Sequence, residues 1–394
     1  MNIRNLLILI WAHITLGSIA PMMVLLNGFV GSTLAPSESL ATFGMGMLVA
    51  GTAVSTIPAA KIANRYGRRV GFLAAVLISV FGCLSCVASL YVRSFVLYCA
   101  GMTLLGCTLA FVQQFRFAAT ENVPAAKTSL AVGLILFAGI GAAMVGPRLG
   151  VFTQHLVPDI LYAGSYLALA GLALLAAGGL MLYRPQIKPQ EQTFKNRLKF
   201  SSLWTSRYAL GVLCGTTAYT VMSLVMTATP ISMHHHQGIA MGDTANVIQW
   251  HIAAMFLPSL FVGVLMQKWG APKVALFGLI CNLMAVVLAL QGVTYLHYMV
   301  ALVLLGLGWN GLFLAGTQLV ATAYPGAERY QAQAGNDFII FGFQGAASLS
   351  AGLLMATLGW NGLNLVALAL LLICLIGWLH LVLIKGLDSN QSIA

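Results

Sequence analysis

RPQIKPQEQTFKNRLKFSSLWTSR, residues 184–207, is the stretch whose reading decides the fold. Arg184, Lys188, Lys195, Arg197, Lys199 and Arg207 crowd into it, opposed by Glu191 alone. Long apolar segments lie on both sides. A cationic connector between two greasy halves reads as a cytoplasmic loop, because Lys and Arg are retained on that face during membrane insertion. The competing reading, a nucleic-acid-binding patch, leaves the apolar flanks unexplained.

Working outward, the 394 residues are 60% hydrophobic and only 7% charged. A soluble domain carries about 25% charged residues. A water-soluble fold could not hide this much apolar surface, so the solvent must be lipid. The net charge of +11 reflects basic residues in short links between apolar runs, not a nucleic-acid partner. No cleavable signal peptide is visible, since the N-terminus leads straight into the first apolar run. Cys83, Cys86, Cys99, Cys107, Cys214, Cys281 and Cys374 all sit inside apolar runs. The Cys83-x-x-Cys86 spacing therefore reads as helix packing, with no disulfide and no structural metal expected.

A helical crossing needs about 20 mostly apolar residues. The hydropathy pattern predicts about twelve crossings, over residues 6–31, 41–60, 70–92, 95–117, 129–152, 160–183, 208–233, 245–267, 273–293, 297–321, 332–358 and 360–385. The expected domains are a six-helix bundle over 1–183, the linker 184–207 and a second bundle over 208–394. Arg4, Lys61, Arg65, Arg68, Arg69, Lys127, the linker, Lys268, Lys273, Arg329 and Lys385 fall on one side; Arg93 is the clear cation opposite. This bias predicts cytoplasmic termini in a multi-pass protein of a bacterial inner membrane.

The halves repeat. Leu104-Leu105-Gly106 recurs as Leu304-Leu305-Gly306, and Pro124 has its counterpart in Pro325. Phe137-Ala-Gly-Ile-Gly-Ala-Ala143 recurs as Phe341-Gly-Phe-Gln-Gly-Ala-Ala347. Two parallel six-span halves form a known transporter design.

The link after span two reads Ala60-Lys-Ile-Ala-Asn64-Arg65-Tyr66-Gly67-Arg68-Arg69, and a worn copy, Gly263-x-x-x-Gln267-Lys268-x-Gly270, follows span eight. Span five ends in Gly146-Pro147-Arg148-Leu149-Gly150. The first pair resembles the G-x-x-x-D-R-x-G-R-R loop signature of the major facilitator superfamily, and the last its G-P-x-x-G signature. Thr227-Ala-Thr-Pro230, Gln249-Trp250-His251, Gly308-Trp309-Asn310 and Gly335-Asn336-Asp337-Phe338 look like a widespread bacterial branch of the same superfamily. The resemblance covers essentially the whole chain. It implies an all-α membrane protein of twelve transmembrane helices in two pseudo-symmetric six-helix bundles, working by alternating access.

The resemblance also implies residue roles. Asn64, Arg65, Gly67, Arg68 and Arg69, with Glu121 as partner of Arg68, would form a conformational latch. Asn64 stands where the family has Asp, which weakens that contact to a neutral hydrogen bond. Gly146, Pro147 and Gly150 would form a hinge. Spans one, four, seven and ten would line a cavity offering Asn27, Gln113, Gln114, Arg116, Thr216, Tyr219, Thr220, Ser223, Thr227, Trp309, Asn310 and Gln318. The family's usual Arg early in span four is missing, and Met102 occupies its place. Arg116 lies further along; an Arg at membrane depth is costly and faces a cavity or a partner, or else snorkels to the surface. The two Gln side chains are expected to orient it.

His251 could titrate near neutral pH, and Asp337 could do so if burial raised its pKa. Either could couple protons to transport; the bland alternatives are a satisfied hydrogen bond for His251 and a helix-dipole contact for Asp337. His234-His235-His236 reads as a solvated loop after span seven rather than a metal site, because consecutive side chains diverge. No nucleophile set, phosphate loop or metal-helix motif appears, so no enzyme and no cofactor are expected. With no acid deep in the cavity spans, a lipophilic cation would lack a counter-charge. The expected cargo is a small neutral or anionic organic molecule, moved by a monomeric, proton-coupled secondary carrier. A drug or metabolite efflux antiporter is the alternative within the class, and a non-transporting receptor or scaffold the alternative outside it.

Overall fold

The structure is a computed structural model that describes residues 2–124, 128–185, 204–324 and 328–384. Lys188, Glu191, Lys195, Arg197 and Lys199 of the linker lie outside the described residues, as do Lys127, Pro325 and Lys385, and so do the side chains of Asn64 and Arg329.

Among the described residues every regular element is helical. Ten helices are long and apolar enough to cross a bilayer, and the bent pair Met241–Phe256 with Ser259–Trp269 makes an eleventh. The last helix, Gly335–Leu383, runs 49 residues, room for two crossings of about 20 each. It breaks at Gly359, whose φ of 66° is in the left-handed region that favours glycine. Spans eleven and twelve meet there, which gives the twelve expected crossings. The faces turned away from the packed interior are greasy: Val54, Val96, Phe152 and Phe338 are 76%, 79%, 82% and 81% exposed. Such surfaces are stable only against lipid.

Contacts divide the chain into two compact units. The first is Met1–Gln192 with Thr229–Gln249; the second is Thr193–Ala228 with Trp250–Ala394. In the first unit, Leu9 and Leu16 of span one, Phe72 of span three, Phe115 of span four and Tyr183 after span six share one core. Phe72 meets Phe115 edge-on with ring centroids 4.6 Å apart. At one end of this unit a polar knot ties the helix ends together. Asn5 Nδ2 donates to Asn122 Oδ1 at 2.7 Å and to the Arg184 carbonyl at 2.6 Å, and Asn122 Nδ2 donates to Tyr183 Oη at 3.2 Å. A satisfied buried network of this kind fixes one packing arrangement.

Lipid supplies no hydrophobic drive between helices, so close backbone approach does the packing. The repeated glycines show how. A Cβ on Gly106 would strike the Leu48 carbonyl of span two. A Cβ on Gly306 would lie 2.5 Å from the His251 carbonyl of span eight. The two copies of the loop signature also share a backbone: Gly67 has φ 88° and ψ 155°, and Gly270 has φ 80° and ψ 153°.

The ends of spans one and seven differ from the sequence expectation. Each runs three residues further: span one passes through a π-helical turn, Asn27–Gly31, to Leu34, and span seven ends in one, Ile231–His236. The triple histidine is therefore the last turn of a helix, not a loop. The His235 and His236 rings, with His234, are anchored by Phe29, Gly28 and Glu38 of the first unit, as described below. Span five, Thr128–Thr153, runs through Pro147 as one continuous helix. Gly146 there is packed against span one, where an added Cβ would lie 2.6 Å from the Ser18 carbonyl.

Candidate functional site

The first unit holds a cation cluster and a set of paired turns. Arg68 is the first residue of the span-three helix, Arg68–Tyr91. Its Nε and Nη2 donate to Glu121 Oε1 at 3.1 and 2.8 Å, and its Nη1 donates to Gln114 Oε1 at 2.8 Å. Both side chains of the ion pair are 16% exposed. The pair predicted from sequence is thus formed, and it lies inside one unit. Gln114 turns to Arg68, where the sequence expectation had both Gln side chains orienting Arg116. The physical reason is a break in span four: Phe95–Val112 ends, Gln113 and Gln114 form a turn, and Phe115–Thr120 restarts. The break leaves Gln113 exposed, Gln114 buried and Arg116 half-buried.

Asn27 opens the π-turn of span one and is buried. Its Nδ2 donates to the Ala41 carbonyl at 3.2 Å, and its Oδ1 accepts from Tyr98 Oη at 3.1 Å. The amide therefore holds the turn in place. Against that turn lies Thr229–Gln249 of the same unit. Phe29 packs on His234 with centroids 4.5 Å apart, His235 Nε2 lies 3.1 Å from the Gly28 carbonyl, and His236 Nε2 lies 3.0 Å from Glu38 Oε1. Ser32, Glu38, Ile231, His235, His236 and Gln237 border an open cleft of about 690 Å³. Among the described residues no three His, Cys, Asp or Glu side chains group closely enough for a metal.

The second unit carries most of the sequence-predicted cavity residues, on Ser206–Pro230 and Tyr295–Ala321. Thr220, Ser223 and Thr227 are buried on span seven. Thr220 Oγ1 donates to the Thr216 carbonyl at 2.6 Å, while the Thr216 and Thr227 hydroxyls have no hydrogen-bond partner among the described residues. Gln318 is half-buried on span ten. Asn310 is fully buried, and its Nδ2 donates to the Met255 carbonyl and to Ser259 Oγ, each at 2.6 Å. Those two acceptors flank Pro258, where span eight bends by 41°. Proline cannot continue the helical ladder, so Asn310 takes up a carbonyl of the broken helix. Beside it an apolar recess of about 220 Å³ is lined by Phe261, Trp269 and Phe277.

Around Trp309 the rings converge. Trp309 stacks on Phe313 at 4.9 Å and 24°, and meets Tyr219 edge-on at 5.2 Å and Phe256 at 6.0 Å. Tyr219 also meets Phe313 at 5.1 Å and Phe341 at 5.9 Å. Phe256, Phe313 and Phe341 were missed in the sequence. The spacing of Trp309 and Phe313, four apart on one helix face, is a signal that could have found Phe313.

Of the two titratable candidates, His251 is buried and its Nδ1 lies 2.6 Å from the Leu302 carbonyl of span ten. A carbonyl only accepts, so Nδ1 carries the proton. Nε2 has no partner among the described residues. Asp337 is not covered by protein, and it accepts from Asn336 Nδ2 at 3.2 Å. His13 on span one was missed; its Nδ1 is buried without a partner beside Phe115.

Known proteins place this geometry. The profile of the Major Facilitator Superfamily matches residues 6–242 and 211–392. The riboflavin transporter RfnT of Brucella anthropi is 35% identical over 92% of this chain and 91% of its own length. The MFS-type transporter YdeG of Bacillus subtilis, described as uncharacterized, is 28% identical over 90% of this chain and 87% of its own. Among solved structures, the nucleoside transporter NupG superposes with a TM-score of 0.75 at 11% identity, covering 96% of this chain and 99% of that one. A bacterial homologue of the human lysosomal transporter Spinster gives 0.71 at 13% identity, over 99% and 98%. These structures share the fold, and the sequence matches span both halves. The chain belongs to the Major Facilitator Superfamily and is a multi-pass membrane transporter, not an enzyme.

Proposed function

We propose that the chain is a proton-coupled secondary carrier that moves a small, flat, neutral or anionic organic molecule across the bacterial inner membrane by alternating access. The observation that carries the reading is the chemistry of spans seven and ten. They offer clustered aromatic rings and buried hydroxyls, and their helices Ser206–Pro230 and Tyr295–Ala321 contain no Asp or Glu. Aromatic faces with a few polar groups suit a planar cargo, and the missing acids disfavour a cation. The likeness to a riboflavin transporter supports the same class, since riboflavin is a neutral molecule built on a flat heteroaromatic ring system.

Arg116 is the cation placed to meet a carbonyl or anionic edge of the cargo. His251 is the proton-coupling candidate retained from the sequence; its buried, singly bonded imidazole supports that role better than exposed Asp337. Arg65, Arg68, Arg69 and Lys268 support a cytoplasmic placement of both termini. The test is flux of riboflavin in proteoliposomes holding the purified protein, followed by flavin fluorescence with and without an imposed pH gradient. Saturable flux that responds to the gradient is expected. Flux equal to that of empty liposomes in both directions would overturn the reading.

A further inference from the structure

Most polar groups buried in a protein have a partner, and a buried donor without one calls for an explanation, a bound ligand among them. The tryptophans of the second unit make the comparison direct. Trp360 is 6% exposed and its Nε1 donates to the Ala289 carbonyl at 2.9 Å. Trp378 is 7% exposed and its Nε1 donates to the Pro272 carbonyl at 2.8 Å. Trp309 is 4% exposed, yet its Nε1 has no hydrogen-bond partner among the described residues. Indole N–H is a donor only, so what it lacks is an acceptor.

The surroundings define which acceptor fits. Trp309 lies within the ring cluster of Tyr219, Phe256, Phe313 and Phe341, all four of them half-buried, so part of each side chain is left uncovered by protein. Rings in that state take a flat π system by offset or edge contact. Thr216, one helical turn before Tyr219 on span seven, adds a buried hydroxyl that is likewise unmatched.

We infer that the Trp309 indole N–H is the polar anchor of a flat-ring subsite within the second unit, donating to a ring carbonyl of a stacked heteroaromatic cargo. The Tyr219 and Phe313 rings supply the stacking surface, and the N–H supplies the selectivity. A site built to donate one hydrogen bond rejects a flat molecule of the same shape that has no acceptor there, because the donor is then left buried and unmatched. The inference rests on the carrier reading for its cargo class but is tested by binding, independently of flux.

The probes are lumichrome, a flat tricycle bearing two ring carbonyls, and anthracene, a flat tricycle with no hydrogen-bond acceptor atom. Binding to purified, detergent-solubilised full-length protein is read by fluorescence quenching for lumichrome and by its displacement for anthracene. Wild-type protein is expected to prefer lumichrome, and Trp309→Phe to weaken lumichrome binding about five- to twentyfold while leaving anthracene within about twofold. Trp309→His, which keeps an N–H, is expected to recover part of the loss. Equal weakening of both compounds would reduce Trp309 to a packing surface and overturn the donor role; so would no weakening of either. Wild-type protein with no lumichrome preference overturns the subsite without any variant, and this arm decides the matter if Trp309→Phe does not fold. Riboflavin flux together with no lumichrome preference would leave the carrier standing and sink the subsite alone. Lumichrome selectivity without flux would do the reverse.

Discussion

The ion pair between Arg68 and Glu121 gives the most quantitative prediction. Two guanidinium nitrogens converge on the single oxygen Oε1, and a third donates to Gln114. Convergence on one oxygen is weaker than a two-oxygen fork. Exposed pairs contribute about 0–1 kcal/mol, and breaking a fully buried pair costs about 3–5 kcal/mol. At 16% exposure for both partners, truncating one should cost about 1–3 kcal/mol, much of it from the charge left behind. The double variant Arg68→Ala/Glu121→Ala removes both charges and should cost less than the sum of the singles. The coupling expected in a double-mutant cycle is about 1–2 kcal/mol. For a unit of roughly two hundred residues that corresponds to about 2–8 °C in melting temperature. The assay is thermal unfolding of the four proteins in one detergent, by size-exclusion recovery after heating. Coupling below about 0.5 kcal/mol, the usual error of additivity, would refute the reasoning and reduce the pair to a surface contact.

Three further outcomes follow from named contacts. Arg116→Ala should lower flux at least tenfold in order of magnitude, with insertion and melting unchanged, since a lost charge-assisted cargo contact is worth about 1.5–3 kcal/mol; near-normal flux in proteoliposomes would remove the assigned role. His251→Gln retains a donor toward the Leu302 carbonyl but cannot carry a proton at neutral pH, so flux should persist down a cargo gradient while losing its response to a pH gradient; an unchanged response would retire His251 as the coupling group. Gly67→Ala meets no atom within 4 Å, so its effect isolates backbone strain at φ 88°. It should lower stability by about 1–3 kcal/mol, as should Gly270→Ala at φ 80°, and a melting temperature equal to wild type for both would contradict the backbone seen at the two links.

Much of this molecule is written in local text. The crossings are legible because each residue's partition between lipid and water depends little on its neighbours, so a run of about 20 apolar residues is its own signal. Arg68 and Glu121 were legible as partners because a loop signature and a helix end stand in fixed relation once spans three and four are antiparallel. The ring cluster was half legible: Trp309 and Tyr219 stood out, but Phe256, Phe313 and Phe341 in apolar helices look like any lipid-facing Phe. Only their mutual distances separate them from Phe338, which is exposed outward.

The amino-acid sequence by itself determined the solvent, the twelve crossings, the duplicated halves and the superfamily, because hydropathy and loop charge are properties of contiguous residues. The tertiary structure alone decided which polar groups are already spoken for. Asn27 is occupied by Ala41 and Tyr98, Gln114 by Arg68 and Asn310 Nδ2 by the bend in span eight, whereas Asn310 Oδ1 and the Trp309 N–H have no partner among the described residues. Hydrogen-bond satisfaction depends on atoms about 3 Å apart in space and tens of positions apart in the chain, and no reading of neighbours in sequence contains that distance.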